Sequence, residues 1–146
     1  MRKEPITWLI IAACIVGLIV SIISLNTHYG TNNTFCTVSE RLNCDTVKRG
    51  QYSEILGVPV ALLGVIGYLV FGLLTLKERK ITKILSLKRK ETLLYLAIGA
   101  TIMFAFALYL TVLEAFVINA WCMLCVSSQL AVLIITIGSW LSWKNA

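Results

Sequence analysis

Charged side chains are scarce in this sequence. Only 14% of its 146 residues are Asp, Glu, Lys or Arg, whereas a soluble domain usually carries about a quarter. Apolar residues make up 58% of the chain, and its mean hydropathy is +0.85. The composition therefore argues against an ordinary water-soluble globule and predicts a membrane protein.

The sequence also lacks a polar stretch long enough to form a separate soluble domain. Four apolar runs, each close to the roughly 20 residues that a helix needs to cross a membrane, take up most of the chain. They cover residues 6–25, 57–76, 93–113 and 121–142, with no repeat or low-complexity linker between them. We therefore predict that residues 1–146 form one all-α membrane domain, a bundle of four transmembrane helices.

The basic residues behind the net charge of +6 are not interleaved with aromatic residues, which argues against binding to nucleic acid. Seven lie between the second and third apolar runs, two precede the first and one follows the last. Such residues flank transmembrane helices on the cytoplasmic side. We predict that both termini are cytoplasmic, and that segments 26–56 and 114–120 face outward from a cell membrane, or into the endoplasmic reticulum of a eukaryote.

The basic segment contains no cysteine. Cys14 lies in the first apolar run, and the other four cysteines lie in or beside the outward-facing segments. Disulfides persist in oxidising compartments outside the cytosol, so this one-sided distribution indicates redox chemistry. We interpret Cys14 as a buried helix residue.

Cys122 and Cys125 form a C-x-x-C motif at the predicted start of the fourth helix. The first turn of a helix has unpaired backbone N–H groups and the positive end of the helix dipole, and both favour a thiolate. A thiolate is the attacking species in thiol-disulfide exchange, and the i, i+3 spacing places both sulfurs on one helix face. The motif therefore predicts a redox-active cysteine pair.

Segment 26–56 carries the remaining cysteines, Cys36 and Cys44, eight residues apart. A possible capping box at Thr37 and Glu40 predicts that this segment is partly helical, and its glycines allow it to bend toward the C-x-x-C. Two fixed disulfides that only staple the outer face remain an alternative. A zinc site is a weaker alternative, because four-cysteine sites usually contain two close pairs and this chain has one.

An ordered set of motifs resembles the vitamin K epoxide reductase family. The set consists of Cys44-Asp45-Thr46-Val47, Tyr52-Ser53 followed by Gly57 and Pro59, Tyr109-Leu110, and Trp121-Cys122-Met123-Leu124-Cys125. The match spans nearly the whole chain. It implies a four-helix bundle around a quinone of the menaquinone, ubiquinone or vitamin K type, which acts as the electron acceptor.

The resemblance also implies roles for individual residues. By position, Cys125 would lie next to the quinone ring, and Cys122 would exchange with Cys44. Cys36 would complete a shuttle pair that faces the partner protein. Ser53 would lie near a quinone carbonyl, although a serine before a helix is also a common N-cap.

Three further residues are candidate contacts of the quinone. Gly57 would let the backbone approach the ring, and Tyr109 and Trp121 would line the pocket. Aromatic residues near helix ends are, as an alternative, common interfacial anchors. Glu114 is interpreted as a wetted helix end, where a carboxylate near the thiols can also relay protons.

We predict a membrane thiol-disulfide oxidoreductase that oxidises a thioredoxin-fold partner, reduces a membrane quinone and supports disulfide bond formation. Many prokaryotic relatives carry a fused thioredoxin-like domain, and this chain ends at Ala146, so we expect the partner to be a separate protein. Reduction of vitamin K quinone or its epoxide is an alternative, which Gln129 disfavours because vertebrate relatives have tyrosine there. A non-catalytic scaffold stapled by disulfides is another. A small multidrug exporter is disfavoured because the first apolar run has no carboxylate.

Overall fold

The computed structural model describes residues 4–30 and 54–146, which form a bundle of helices with one short hairpin. The elements in chain order are α1 (Glu4–Tyr29), β1 (Glu54–Ile55), β2 (Val58–Pro59), α2 (Val60–Leu76), α3 (Glu78–Ile84), α4 (Arg89–Val112), a π-helical segment (Leu113–Ile118) and α5 (Met123–Lys144). Cys36, Cys44 and Ser53 lie outside the described residues, as do residues 31–53 of the segment predicted to be partly helical.

The long helices have the length and composition of membrane spans. Three helical segments are each long and apolar enough to cross a membrane: α1, α4 with its π-helical continuation, and α5. Helices α2 and α3 meet this condition only together, and the pair is bent by 72°. Large apolar side chains point away from the bundle, such as Ile102 at 65% exposure and Leu130 at 55%. The protein is therefore an all-α membrane protein, and its described residues contain three candidate spans, or four if the bent pair counts as one.

The second helix begins three residues later than the apolar run predicted, because residues 54–59 form a tight antiparallel hairpin. Its two turn residues, Leu56 and Gly57, have positive φ angles of 53° and 80°. Two left-handed residues in succession are typical of a two-residue hairpin turn. Pro59, with φ of −59°, then leads into α2.

The third helix extends further than predicted at both ends. It begins at Arg89, where the Lys88 N–H donates to Glu91 Oε2 at 3.1 Å in a capping box. At the other end the chain continues as the π-helical segment until Asn119, whose left-handed φ of 54° ends it. The sequence ended this apolar run at residue 113 and predicted a short turn over 114–120, which is wrong for residues 114–118 because they are helical.

Helix α1 packs extensively against α2 and α5, and α4 packs against α5, whereas α2 and α4 touch at few points. Small residues let α1 and α5 approach closely: a Cβ at Gly138 would lie 2.8 Å from Ile10 Cγ1. Cys14 lies in this core at 4% exposure, as predicted. The packing leaves a space between α2 and α4.

Candidate active site

The C-x-x-C motif lies at the start of α5. Cys122 is the N-cap residue, with an extended backbone (φ −107°, ψ 116°), and Cys125 follows in the first turn. Cys122 is fully buried, whereas Cys125 is partly buried and lines a cavity. The two side chains are within hydrogen-bonding reach of each other. The pair therefore has an inner member, Cys122, and a member that faces the cavity, Cys125.

Glu114 lies beside this pair. Its Oε2 accepts a hydrogen bond from the backbone N–H of Cys122 at 3.4 Å, and its carboxylate is within hydrogen-bonding reach of the Cys125 thiol. Only 4% of the residue is exposed, so the interpretation of Glu114 as a wetted helix end is wrong. The π-helical segment is the cause, since it carries Glu114 against the start of α5 instead of ending the helix before it.

A cavity of about 210 Å³ lies between α1, α2, α4 and α5, with Cys125 in its wall. Most of its surface is apolar. The main apolar side chains in its wall are Val60, Leu63, Met103, Phe106, Leu110 and Leu124. Because α2 and α4 both contribute to the wall but touch at few points, the cavity lies where these two helices are loosely packed.

Polar groups occupy the cavity wall at two levels along α5. Cys125 and Glu114 lie at one level, and Ser128 and Gln129 lie about one helical turn, roughly 5.4 Å, further along the helix. The Tyr68 hydroxyl donates to the backbone oxygen of Ser128 at 2.9 Å and lies 2.7 Å from its Oγ. Gln129 Oε1 is buried without a hydrogen-bond partner among the described residues. Buried amide atoms are rarely left unpaired, so this one is suited to a polar atom of a ligand.

His28 is another polar residue of the cavity wall. Its Nε2 lies 3.1 Å from Glu54 Oε1, which ties the end of α1 to the hairpin before α2. Sequence reasoning missed His28, Tyr68 and Ser128 as cavity residues. A usable signal was present in α1, where Ser21, Ser24 and His28 follow helical spacing within an apolar run and share a face.

Three residues predicted to contact a quinone lie outside this wall. Gly57 is in the hairpin turn, where no atom of the described residues lies within 4 Å of a Cβ built on it. Tyr109 is 55% exposed and Trp121 is 40% exposed, and neither lines the cavity. Their role as quinone contacts stays a prediction, as does that of Ser53. Within the described ranges, no three His, Cys, Asp or Glu side chains cluster as metal ligands would.

Fold and site together define a helical membrane protein with a cysteine pair and a buried carboxylate beside an apolar cavity of about 210 Å³. Residues 8–140 match the vitamin K epoxide reductase family, and the chain belongs to that family. The protein is therefore a membrane redox enzyme of a family whose electron partner is a quinone or vitamin K. A search of curated proteins found no match to the chain.

Proposed function

We propose that the protein is a thiol-disulfide oxidoreductase that oxidises a separate thioredoxin-fold protein and reduces a membrane quinone in the cavity beside Cys125. Electrons pass from Cys36 and Cys44 to Cys122 and Cys125 and then to the quinone, and the reaction supports disulfide bond formation. The observation that carries this proposal is the position of Cys125. Its thiol contacts Cys122 on one side and lines an apolar cavity on the other.

The residues of the cavity fit a quinone. A quinone ring is flat and apolar and carries carbonyl oxygens that accept hydrogen bonds. The apolar wall suits the ring, and the NH2 group of Gln129, whose buried amide oxygen has no partner within the described parts of the chain, can supply a donor. A flip of the side-chain amide exchanges the positions of its oxygen and its NH2 group, so Gln129 can donate to a carbonyl or accept from a hydroxyl.

The size of the cavity supports binding of the ring rather than of a whole quinone. Its volume of about 210 Å³ is below the roughly 300 Å³ at which pockets for complete small molecules begin. A long apolar tail therefore has to leave the cavity. The sparse contact between α2 and α4 offers a way into the lipid, since both helices line the cavity.

The cysteine pair supplies the electrons in this proposal. A quinone bound in the cavity would accept two electrons and two protons. Cys122 and Cys125 lose their two S–H bonds and form one S–S bond, and both sulfurs are already in contact, which lowers the barrier.

The placement of charge supports the predicted orientation. The basic residues between α2 and α4 lie around α3, at the end of the bundle opposite to the C-x-x-C. We call these two ends the basic end and the cysteine end. By the positive-inside rule the basic end is cytoplasmic, which places the termini in the cytosol and the cysteine end outside it. The thiol partner would therefore act in an oxidising compartment.

Purified protein in lipid nanodiscs tests the proposal. A reduced thioredoxin-fold protein serves as the electron donor and a short-chain menaquinone as the acceptor, and quinol formation is followed by absorbance. We expect turnover by the wild type and loss of turnover in Cys125→Ala, because the cavity-facing sulfur is gone. Cys14→Ala is the matched control, since Cys14 is buried in α1 away from the cavity wall.

Two results would contradict the proposal. Full quinol formation by Cys125→Ala would remove the thiol from the reaction. Failure of the wild type to form quinol or to yield a mixed disulfide with the donor would instead favour a disulfide-stapled scaffold.

A further inference from the structure

Glu114 is a carboxylate buried at membrane depth or at its edge, with only 4% of its surface exposed. An ionisable side chain is costly to hold there, and such residues commonly serve a function. Its hydrogen bond from the Cys122 N–H is long, at 3.4 Å, and therefore weak.

The position of Glu114 connects the two partners of the proposed reaction. Its carboxylate reaches the Cys125 thiol, and the same side chain lines the cavity. Two other titratable groups in the wall are engaged elsewhere, because His28 binds Glu54 and the Tyr68 hydroxyl binds Ser128. Glu114 is thus the carboxylate in contact with both the thiol and the cavity.

The proposed reaction requires proton transfer as well as electron transfer. Oxidation of Cys122 and Cys125 to a disulfide breaks two S–H bonds, forms one S–S bond and releases two electrons and two protons. Reduction of a quinone to a quinol takes up the same two electrons and two protons at its two oxygens. The protons have to move from sulfur to oxygen inside an apolar cavity, where water is a poor carrier.

From these contacts we propose that Glu114 is the proton carrier of the site: it takes the two protons of the cysteine thiols, one at a time, and passes each to an oxygen of the ligand. The inference rests on the proposed quinone reduction. Glu114 ends the cycle in its starting form, so the balance of atoms and electrons is unchanged. General acid-base groups within hydrogen-bonding reach typically accelerate reactions by about 10²–10⁴-fold.

Infrared difference spectroscopy of the quinone-free protein tests this inference without turnover. Spectra are compared between the dithiol and disulfide states of the cysteine pair. We expect reduction to create a carboxylic-acid C=O band while carboxylate bands are lost, because Glu114 gains a proton from the thiol. Glu114→Gln should remove this signal. Glu91→Gln is the control, since Glu91 is exposed at the basic end and should leave the signal intact.

Turnover of the same variants gives a second readout. Glu114→Gln retains an oxygen that accepts from the Cys122 N–H, so a purely structural role would survive the change. We expect its quinol formation to fall by about 10²-fold or more, with Glu114→Asp regaining part of the rate because it keeps a carboxylate. If the Gln variant fails to fold, the Asp variant carries the infrared test, because its C=O band should shift in frequency rather than vanish.

The outcomes separate the two proposals. A wild type that forms no quinol overturns the proposed function. A wild type that turns over while Glu114→Gln matches its rate overturns the proton-carrier role alone. Identical carboxyl absorption in the two redox states, or a band that persists in Glu114→Gln, overturns that role as well.

Discussion

Glu78 and Glu114 are two buried carboxylates at opposite ends of the bundle, with 7% and 4% of their surfaces exposed. Each lies where helical geometry changes, Glu78 after the 72° bend between α2 and α3 and Glu114 in the π-helical segment. At the basic end, Glu78 Oε1 accepts from an Arg89 guanidinium nitrogen at 2.9 Å. At the cysteine end, Glu114 contacts a backbone N–H and a thiol.

The different neighbours of Glu78 and Glu114 show that burial alone does not identify a carboxylate that takes part in a reaction. Arg89 compensates the charge of Glu78 and ties α3 to the start of α4, so this carboxylate stabilises the fold. Glu114 adjoins the C-x-x-C motif and a cavity, where the proposed reaction has a use for exchange of a proton. The neighbours of each carboxylate, rather than its exposure, determine its role.

Removal of Arg89 tests the structural role that we assign to Glu78. Among the substitutions considered, it has the largest expected effect on stability. Arg89→Ala leaves the buried Glu78 carboxylate without its cation. The arginine side chain is 40% exposed, so we expect a loss of about 2 kcal/mol, between the ~0–1 of surface pairs and the ~3–5 of broken buried pairs. Unfolding in detergent micelles, followed by circular dichroism, measures it.

Lys83→Ala is the control for this experiment, because Lys83 is an exposed residue of α3 and should change stability by less than about 0.5 kcal/mol. Quinol formation per folded molecule should be unchanged in both variants. A loss of turnover in folded Arg89→Ala would contradict the assignment of Glu78 and Arg89 to stability.

A substitution that fills the cavity tests the functional side of the comparison, namely that a quinone binds beside Cys125 and Glu114. A Cβ at Gly67 would lie 3.6 Å from Met103 Cε, across the space that we assign to the quinone. Gly67→Val should raise the KM for quinone about tenfold, which corresponds to roughly 1.4 kcal/mol of lost binding. The reactivity of Cys125 toward a small alkylating agent should persist, because the thiol itself is unchanged.

The matched control is Gly99→Val in α4. A Cβ there would lie 3.9 Å from Phe71 Cε2, outside the cavity wall. The control should retain the wild-type KM. Equal effects of the two substitutions would argue that the cavity is not the quinone site.

The sequence correctly predicted an all-α membrane protein, because apolar runs of this length have few other uses. It also placed the C-x-x-C at the start of the last helix and Cys14 in the core, where the structure has them. The hairpin was not predictable, since Leu56 at 99% exposure and φ of 53° is an unusual residue for a left-handed turn position.

The candidate site was harder to predict than the fold. Helix α4 is apolar on all sides, so its pattern does not show that Phe106 and Leu110 face the cavity while Tyr109 faces outward. The burial of Glu114 depends on the π-helical segment, for which the residue pattern gives no signal. Motif and spacing therefore located the thiols, whereas helix rotation and local geometry determined what surrounds them.

A single-turnover experiment tests the central claim, that the cysteine pair passes electrons to a quinone in the adjacent cavity. Fully reduced protein is mixed anaerobically with one equivalent of a short-chain quinone, and quinol is measured while peptide mass spectrometry maps the disulfides. The account predicts about one quinol per protein and a new linkage between Cys122 and Cys125 in the earliest samples, since one dithiol carries two electrons. Unreacted quinone with both thiols intact would contradict it.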